Sequence, residues 1–129
     1  MRRPTCTGPV AWKDRDAVDR DIASLKSALV GVKLDEVFMT AASPGNVADY
    51  HKDRYYGSRE AYLYAVADAM KEEYDAIHHA GFLLQLDCPD LARDKETVEL
   101  SIEVLNHALR DIPPERMRMH VCWGNAEGP

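Results

Sequence analysis

"FLLQLD", Phe82 to Asp87, and "MRMHVC", Met117 to Cys122, are the two stretches whose reading decides the fold. Successive side chains of a strand point to opposite faces. In the first stretch Phe82, Leu84 and Leu86 share an apolar face, while Leu83, Gln85 and Asp87 put two polar groups on the other. In the second, Met117, Met119 and Val121 oppose Arg118, His120 and Cys122. The apolar sides are expected to meet helices. A doubly wound open sheet is covered on both faces and its strands read as continuous apolar runs, whereas a barrel tolerates polar residues facing inward near its top. Two strands with a polar face therefore favour a barrel. Both polar faces run to the C-terminal tips of their strands, where parallel sheets and barrels place their chemistry. Position alone makes Asp87, His120 and Cys122 the site candidates.

Working outward, the elements alternate. Val18, Ile22, Leu25 and Leu29 recur at helical spacing between Asp16 and Leu29, with Gly31 as a C-cap. Glu36 to Ala42 reads as a buried strand broken by Ser43-Pro44-Gly45, and a loop is expected from there to Gly57. Ser58 caps a long helix with the stripe Leu63, Val66, Met70, Tyr74 and Ile77, closed by Gly81. Val98, Ile102, Leu105 and Leu109 predict a further helix ending before Pro113-Pro114, and Thr5 to Val10 an early strand. Such alternation implies crossover units and a parallel sheet.

The chain of 129 residues is expected to be one α/β domain, residues 1–129. Eight barrel strands normally take about 250 residues, so the chain amounts to about half of a (β/α)8 TIM barrel. It ends seven residues after Cys122, which predicts a product truncated at its C-terminus. Sixteen Lys plus Arg against 22 Asp plus Glu give a net charge of −6, which disfavours nucleic acid or an anionic membrane as the main partner and favours a small molecule. No apolar run of about 18 residues is present, and Arg2-Arg3 precede no secretory apolar stretch. Cys6, Cys88 and Cys122 are odd in number and widely spread, as free thiols or metal ligands in a reducing, cytoplasmic setting would be.

A strand His-x-Cys pair places an imidazole and a thiolate where both could bind one zinc, but two ligands are not four. On pattern alone a buried Cys beside a hydrogen-bonded His is the better-supported reading of His120 and Cys122. His107 is nominally a third ligand, although its helical position looks solvent-facing. Asp87 could hold an ammonium or cap local backbone N–H groups. Cys88 lacks a neighbouring cation and reads as inert, Asp90 as a turn residue, and His78 and His79 as complements to a helix C-terminus. Tyr50, His51, Arg54, Tyr55 and Tyr56 could contact substrate from the 43–57 loop or simply pack on it.

Taken together, "CTGPVAW", "EVFMTAASPG", "YLYAVADAMKEEYDAIHHAGFLLQLDCPDLA" and "MHVCWGN" resemble the cobalamin-independent methionine synthase family, in particular its single-barrel members and the related epoxyalkane:coenzyme M transferases. The resemblance covers nearly the whole chain, and its last two blocks are the most specific. It implies a TIM barrel of the methionine synthase type in which zinc activates a thiol to attack a methyl or alkyl carbon. It also implies that His120 and Cys122 are two Zn2+ ligands and that Asp87 binds the amino group of a thiol such as homocysteine. The family's remaining ligands, a Glu and a second Cys, and its catalytic His lie beyond the His-x-Cys strand, so the chain alone is expected to be a poor enzyme.

The function expected is thus part of a zinc-dependent methyltransferase that moves a methyl group from a 5-methyltetrahydrofolate-type donor to homocysteine, forming methionine. Alkyl transfer to coenzyme M or another thiol is the alternative within enzymes. The alternative of another class is a catalytically silent half-barrel that binds or assembles with a partner, self-associating through an unclosed barrel edge.

Overall fold

A computed structural model describes residues 4–92 and 95–122. Its centre is a three-stranded parallel sheet of β2 (Phe38–Ala42), β4 (Leu83–Asp87) and β5 (Met117–His120), with β4 in the middle. Parallel neighbours need crossovers, and these are supplied by α3 (Arg59–His79) between β2 and β4 and α4 (Lys95–Ala108) between β4 and β5. An α/β fold with parallel sheets is thus present as expected. α1 (Arg15–Ala28) precedes the sheet. A second, two-residue parallel pairing joins β1 (Thr5–Cys6) to β3 (Lys52–Asp53).

The helical stripe of α3 is buried as its spacing predicts. Leu63, Val66, Tyr74 and Ile77 lie in the core and Met70 packs at its edge. Ser58 caps the helix by accepting from the Ala61 N–H at 3.1 Å, and Gly81 ends the turn after it at φ +92°, a conformation that costs glycine little. On β4, Leu84 and Leu86 are buried under the helices, and Ala41 of β2 joins them. Burying such side chains contributes about 1.5–3 kcal/mol each for the larger ones, so this helix-facing layer is what holds the sheet.

Four expectations change. Ser43-Pro44-Gly45 does not open a loop but starts a short helix, α2 (Pro44–Asp49): Ser43 Oγ accepts from the Asn46 N–H at 3.2 Å and Pro44 occupies the first helical turn. A Ser-Pro pair is a helix start as much as a breaker, because the missing N–H of proline has no partner to lose there. The early strand stops at Cys6 rather than Val10, since Gly8-Pro9 cannot continue a ladder. In α4 the buried face is Ser101, Val104, Leu105 and Ala108, leaving Ile102 exposed, because a small polar Ser and an Ala took core positions that spacing had given to larger residues. Finally, β5 ends at His120, so Val121 and Cys122 lie past the ladder.

Met117 packs against the core, but Met119 and Val121 remain about half exposed, at 50% and 48%. The helix-facing side of β5 is therefore covered only at its start. No helix among the described residues is long and apolar enough to cross a membrane.

Candidate functional site at the C-terminal tips of the parallel strands

The face of the sheet turned away from the helices carries its polar side chains in rows set by the strand register. Thr40, Gln85 and Arg118 form one row. Gln85 Nε2 donates to Thr40 Oγ1 at 3.2 Å, and Arg118 Nε donates to Gln85 Oε1 at 2.8 Å. The Arg118 guanidinium also lies 3.5 Å from the centre of the Phe38 ring, a cation–π contact that fixes its orientation. One step toward the C-terminal tips, Ala42, Asp87 and His120 form the next row. The lower row acts as a brace under the upper one.

In the upper row His120 Nε2 stands 3.8 Å from Asp87 Oδ1, with both side chains about half exposed. That separation exceeds a direct hydrogen bond, so the two groups are not closed on each other. Backbone bonds hold the tips on both sides: the Ser43 N–H donates to the Asp87 carbonyl and the Cys88 N–H to the His120 carbonyl, each at 2.9 Å. Tyr74 Oη reaches up from α3 to donate to the Ala42 carbonyl at 2.5 Å. Burial pushes the Tyr74 phenol far above its ordinary value, so it stays a donor.

Just past the C-terminal ends of β2 and β4 lies a buried polar pair that the sequence reading missed. Ser43 Oγ donates to Asp90 Oδ1, and both residues are almost wholly enclosed. Asp90 does lie in a turn, the 3-10 turn Pro89–Leu91, as expected, but its carboxylate is buried in the core. Gly45 makes room for it, since a Cβ there would come within 2.8 Å of Asp90 Cγ. Cys88, also enclosed, has its thiol pushed up to about 12, first by burial and then by the Asp90 charge, with the Ser43 hydrogen bond opposing. A thiol held in that state is not a nucleophile at neutral pH, which agrees with the inert reading.

Sequence position therefore brings Asp87 and His120 together. Cys122 is partly exposed two residues beyond the strand end. His107 is placed elsewhere: its Nε2 pairs with Asp68 at 2.7 Å across α3 and α4, and its ring meets Tyr64 edge-on. His78 and His79 sit in the last turn of α3 as expected. Among the described residues no group of three or more His, Cys, Asp or Glu is gathered as metal ligands. An imidazole and a thiolate suit zinc in kind, but they fill two corners of a tetrahedron and do not close it. Trp123, Gly124 and Asn125, the end of the "MHVCWGN" block, lie outside the described residues.

A curated relative from Saccharolobus solfataricus, named "Methionine synthase", is 25% identical over 125 residues, which is 96% of this chain. The chain is similar to archaeal methionine synthases. A methionine synthase of Saccharolobus islandicus matches 70% of the chain at 26% identity, and one of Pyrococcus horikoshii matches 64% at 26%. The chain spans 36%, 27% and 24% of the lengths of these relatives, respectively, or roughly a third to a quarter of each methionine synthase. No family model matches the chain, and no solved structure matches it.

Proposed function

We propose that this chain is a single domain, residues 1–129, forming about half of a TIM barrel of the methionine synthase type, and that it contributes to methyl transfer from a folate-type donor to the thiol of homocysteine. The observation that carries the reading is the register pair Asp87 and His120, 3.8 Å apart at the C-terminal tips of adjacent parallel strands on the helix-free face. The similarity to methionine synthases over nearly the full chain supports it. The helix-free face, polar where a doubly wound sheet would be apolar, is the feature expected of a barrel interior.

In this proposal His120 and Cys122 supply two ligands of a zinc centre. Zinc, when bound, lowers the pKa of a thiol so that a thiolate is present at neutral pH. The chain's own work is positioning. The Asp87 carboxylate accepts from the substrate's ammonium group, and the Thr40–Gln85–Arg118 row keeps the strands carrying Asp87 and His120 in register. The step itself forms a sulfur–carbon bond as the bond between that carbon and its donor breaks. Its three unpaired cysteines suit a cytoplasmic setting.

Zinc content per chain, measured beside His120→Ala and Cys122→Ala together with mass in solution, tests the proposal. Metal lost in both variants supports it. Zinc binding that is indifferent to both substitutions removes these residues from the metal site. A second reading, a half-barrel that associates through its edge, is favoured by the half-exposed Met119 and Val121 on β5 and just beyond it. Concentration-dependent mass without thiol alkylation activity would select it.

A further inference from the structure

A well-formed concavity lies away from the Asp87–His120 pair. It is a cleft of about 530 Å³ between the end of α2, β3 and the start of α3, and its lining includes His51, Lys52, Arg54 and Arg59 together with Asp49 and Asp53. With His51 neutral, the lining carries three cations against two carboxylates, in a chain of net charge −6. The two carboxylates are already engaged. Asp49 Oδ1 pairs with Arg59 at 2.5 Å. Asp53 Oδ1 accepts the Tyr55 and Tyr56 N–H groups at 2.8 and 3.0 Å, and these bonds hold its carboxyl below the ordinary range.

Lys52 and Arg54 differ. Their backbone N–H groups are tied to β1, donating to the Pro4 and Cys6 carbonyls at 3.2 and 3.0 Å. Both side chains line the cleft and are exposed, and neither forms an ion pair among the described residues. The cleft also faces the amino end of the 21-residue helix α3, whose dipole favours negative charge, and Glu60 of that first turn is not part of the lining. Because α2 follows directly from β2 and α3 runs back to the start of β4, the cleft lies toward the same end of the sheet as Asp87.

We infer that this cleft is a binding site for the oxyanion group, phosphate or carboxylate, of a small-molecule ligand, with Lys52 and Arg54 as its charged contacts. It stands on its own geometry and does not depend on methyl transfer. The 129-residue chain is titrated with inorganic phosphate and, separately, with succinate, following backbone amide NMR shifts. Saturable shifts centred on residues 51–61 are expected, with a Kd of about 1 mM or tighter. Saturation by phosphate alone identifies a phosphoryl ligand, and by succinate alone a carboxylate. Lys52→Ala and Arg54→Ala should each weaken binding about tenfold, as loss of a charge-assisted contact does. Arg116→Ala, at the opposite end of the sheet where Arg116 donates to the Gly81 carbonyl, should leave it unchanged. Amide spectra of each variant check that it is folded, and Lys52→Gln and Arg54→Gln replace any that is not. Shifts that never saturate with either anion, or saturation indifferent to the loss of both cations, overturn the inference.

Discussion

Replacing Gly45 by Ala sets two effects against each other, and the structure says which wins. Gly45 lies in the first turn of α2 and its φ is not positive, so backbone preference by itself would make Ala the better residue by up to about 1 kcal/mol. Against this, the new Cβ would lie 2.8 Å from Asp90 Cγ and closer still to Oδ2. The Asp90 side chain is 3% exposed and is held by Ser43, so it cannot swing into solvent to make room. Crowding of this kind costs about 1–3 kcal/mol, and loosening the Ser43 hydrogen bond of a buried carboxylate adds about 1–3 kcal/mol. The net expectation is destabilisation by about 2–4 kcal/mol. At roughly 4 °C per kcal/mol for a chain of this size, Tm falls by about 8–16 °C. Urea denaturation of Gly45→Ala, Asp90→Ala and the double variant checks it. With Asp90 shortened the obstacle is gone, so adding Ala at 45 should then be neutral or mildly stabilising, a coupling of about 2–5 kcal/mol. An unchanged or higher midpoint for Gly45→Ala, or the same loss with and without Asp90, refutes the reasoning.

Three further outcomes follow from the same geometry. Tyr74→Phe removes the donor to the Ala42 carbonyl and should lower stability by about 1–2 kcal/mol in urea denaturation. In native protein at pH 8 iodoacetamide should label the partly exposed Cys6 and Cys122 but not Cys88, whose thiol is pushed up to about 12, and mass spectrometry should find Cys88 modified only after unfolding. Lys71 pairs with Asp75 within α3 and with Asp111 just after α4, each 2.8 Å away. Its hydrogen bond holds the Asp111 carboxyl below the ordinary value of 3.8, so that part of the stability is complete above this value and disappears as pH falls through the lower, folded one. Burial works against the charge on Lys71, but its hydrogen bonds to Asp111 and Asp75 outweigh burial and raise its pKa, so its part persists until pH rises past 10.5. Lys71→Met should therefore lower the urea midpoint at pH 7 and by less at pH 3.

Helices with a strong apolar period were legible residue by residue. The α3 stripe from Leu63 to Ile77 went into the core because large apolar side chains at i, i+3 and i+4 leave one face to bury. The same rule placed Leu105 and Leu109 correctly in the core but not Ile102, since it weighs size and polarity and cannot see that Ser101 and Ala108 fit a close approach. The Ser43–Asp90 pair was invisible for a different reason. Its members are 47 positions apart, and a carboxylate after Cys88-Pro89 looks like any turn residue until the end of β2 is laid against it.

The local sequence determined the alternation of faces in β4, the polar character of Gln85, Asp87, Arg118 and His120, and the alternating order that makes a parallel sheet, because strand period and helix period are properties of neighbouring residues. Only the tertiary structure decided that β4 lies between β2 and β5, which rows Thr40, Gln85 and Arg118 and then Ala42, Asp87 and His120 share, and that β5 stops before Cys122. Register is a relation between strands distant in the chain. It is set by how Leu84, Leu86 and Ala41 pack beneath the helices, and a slip of one residue would turn Asp87 into the core.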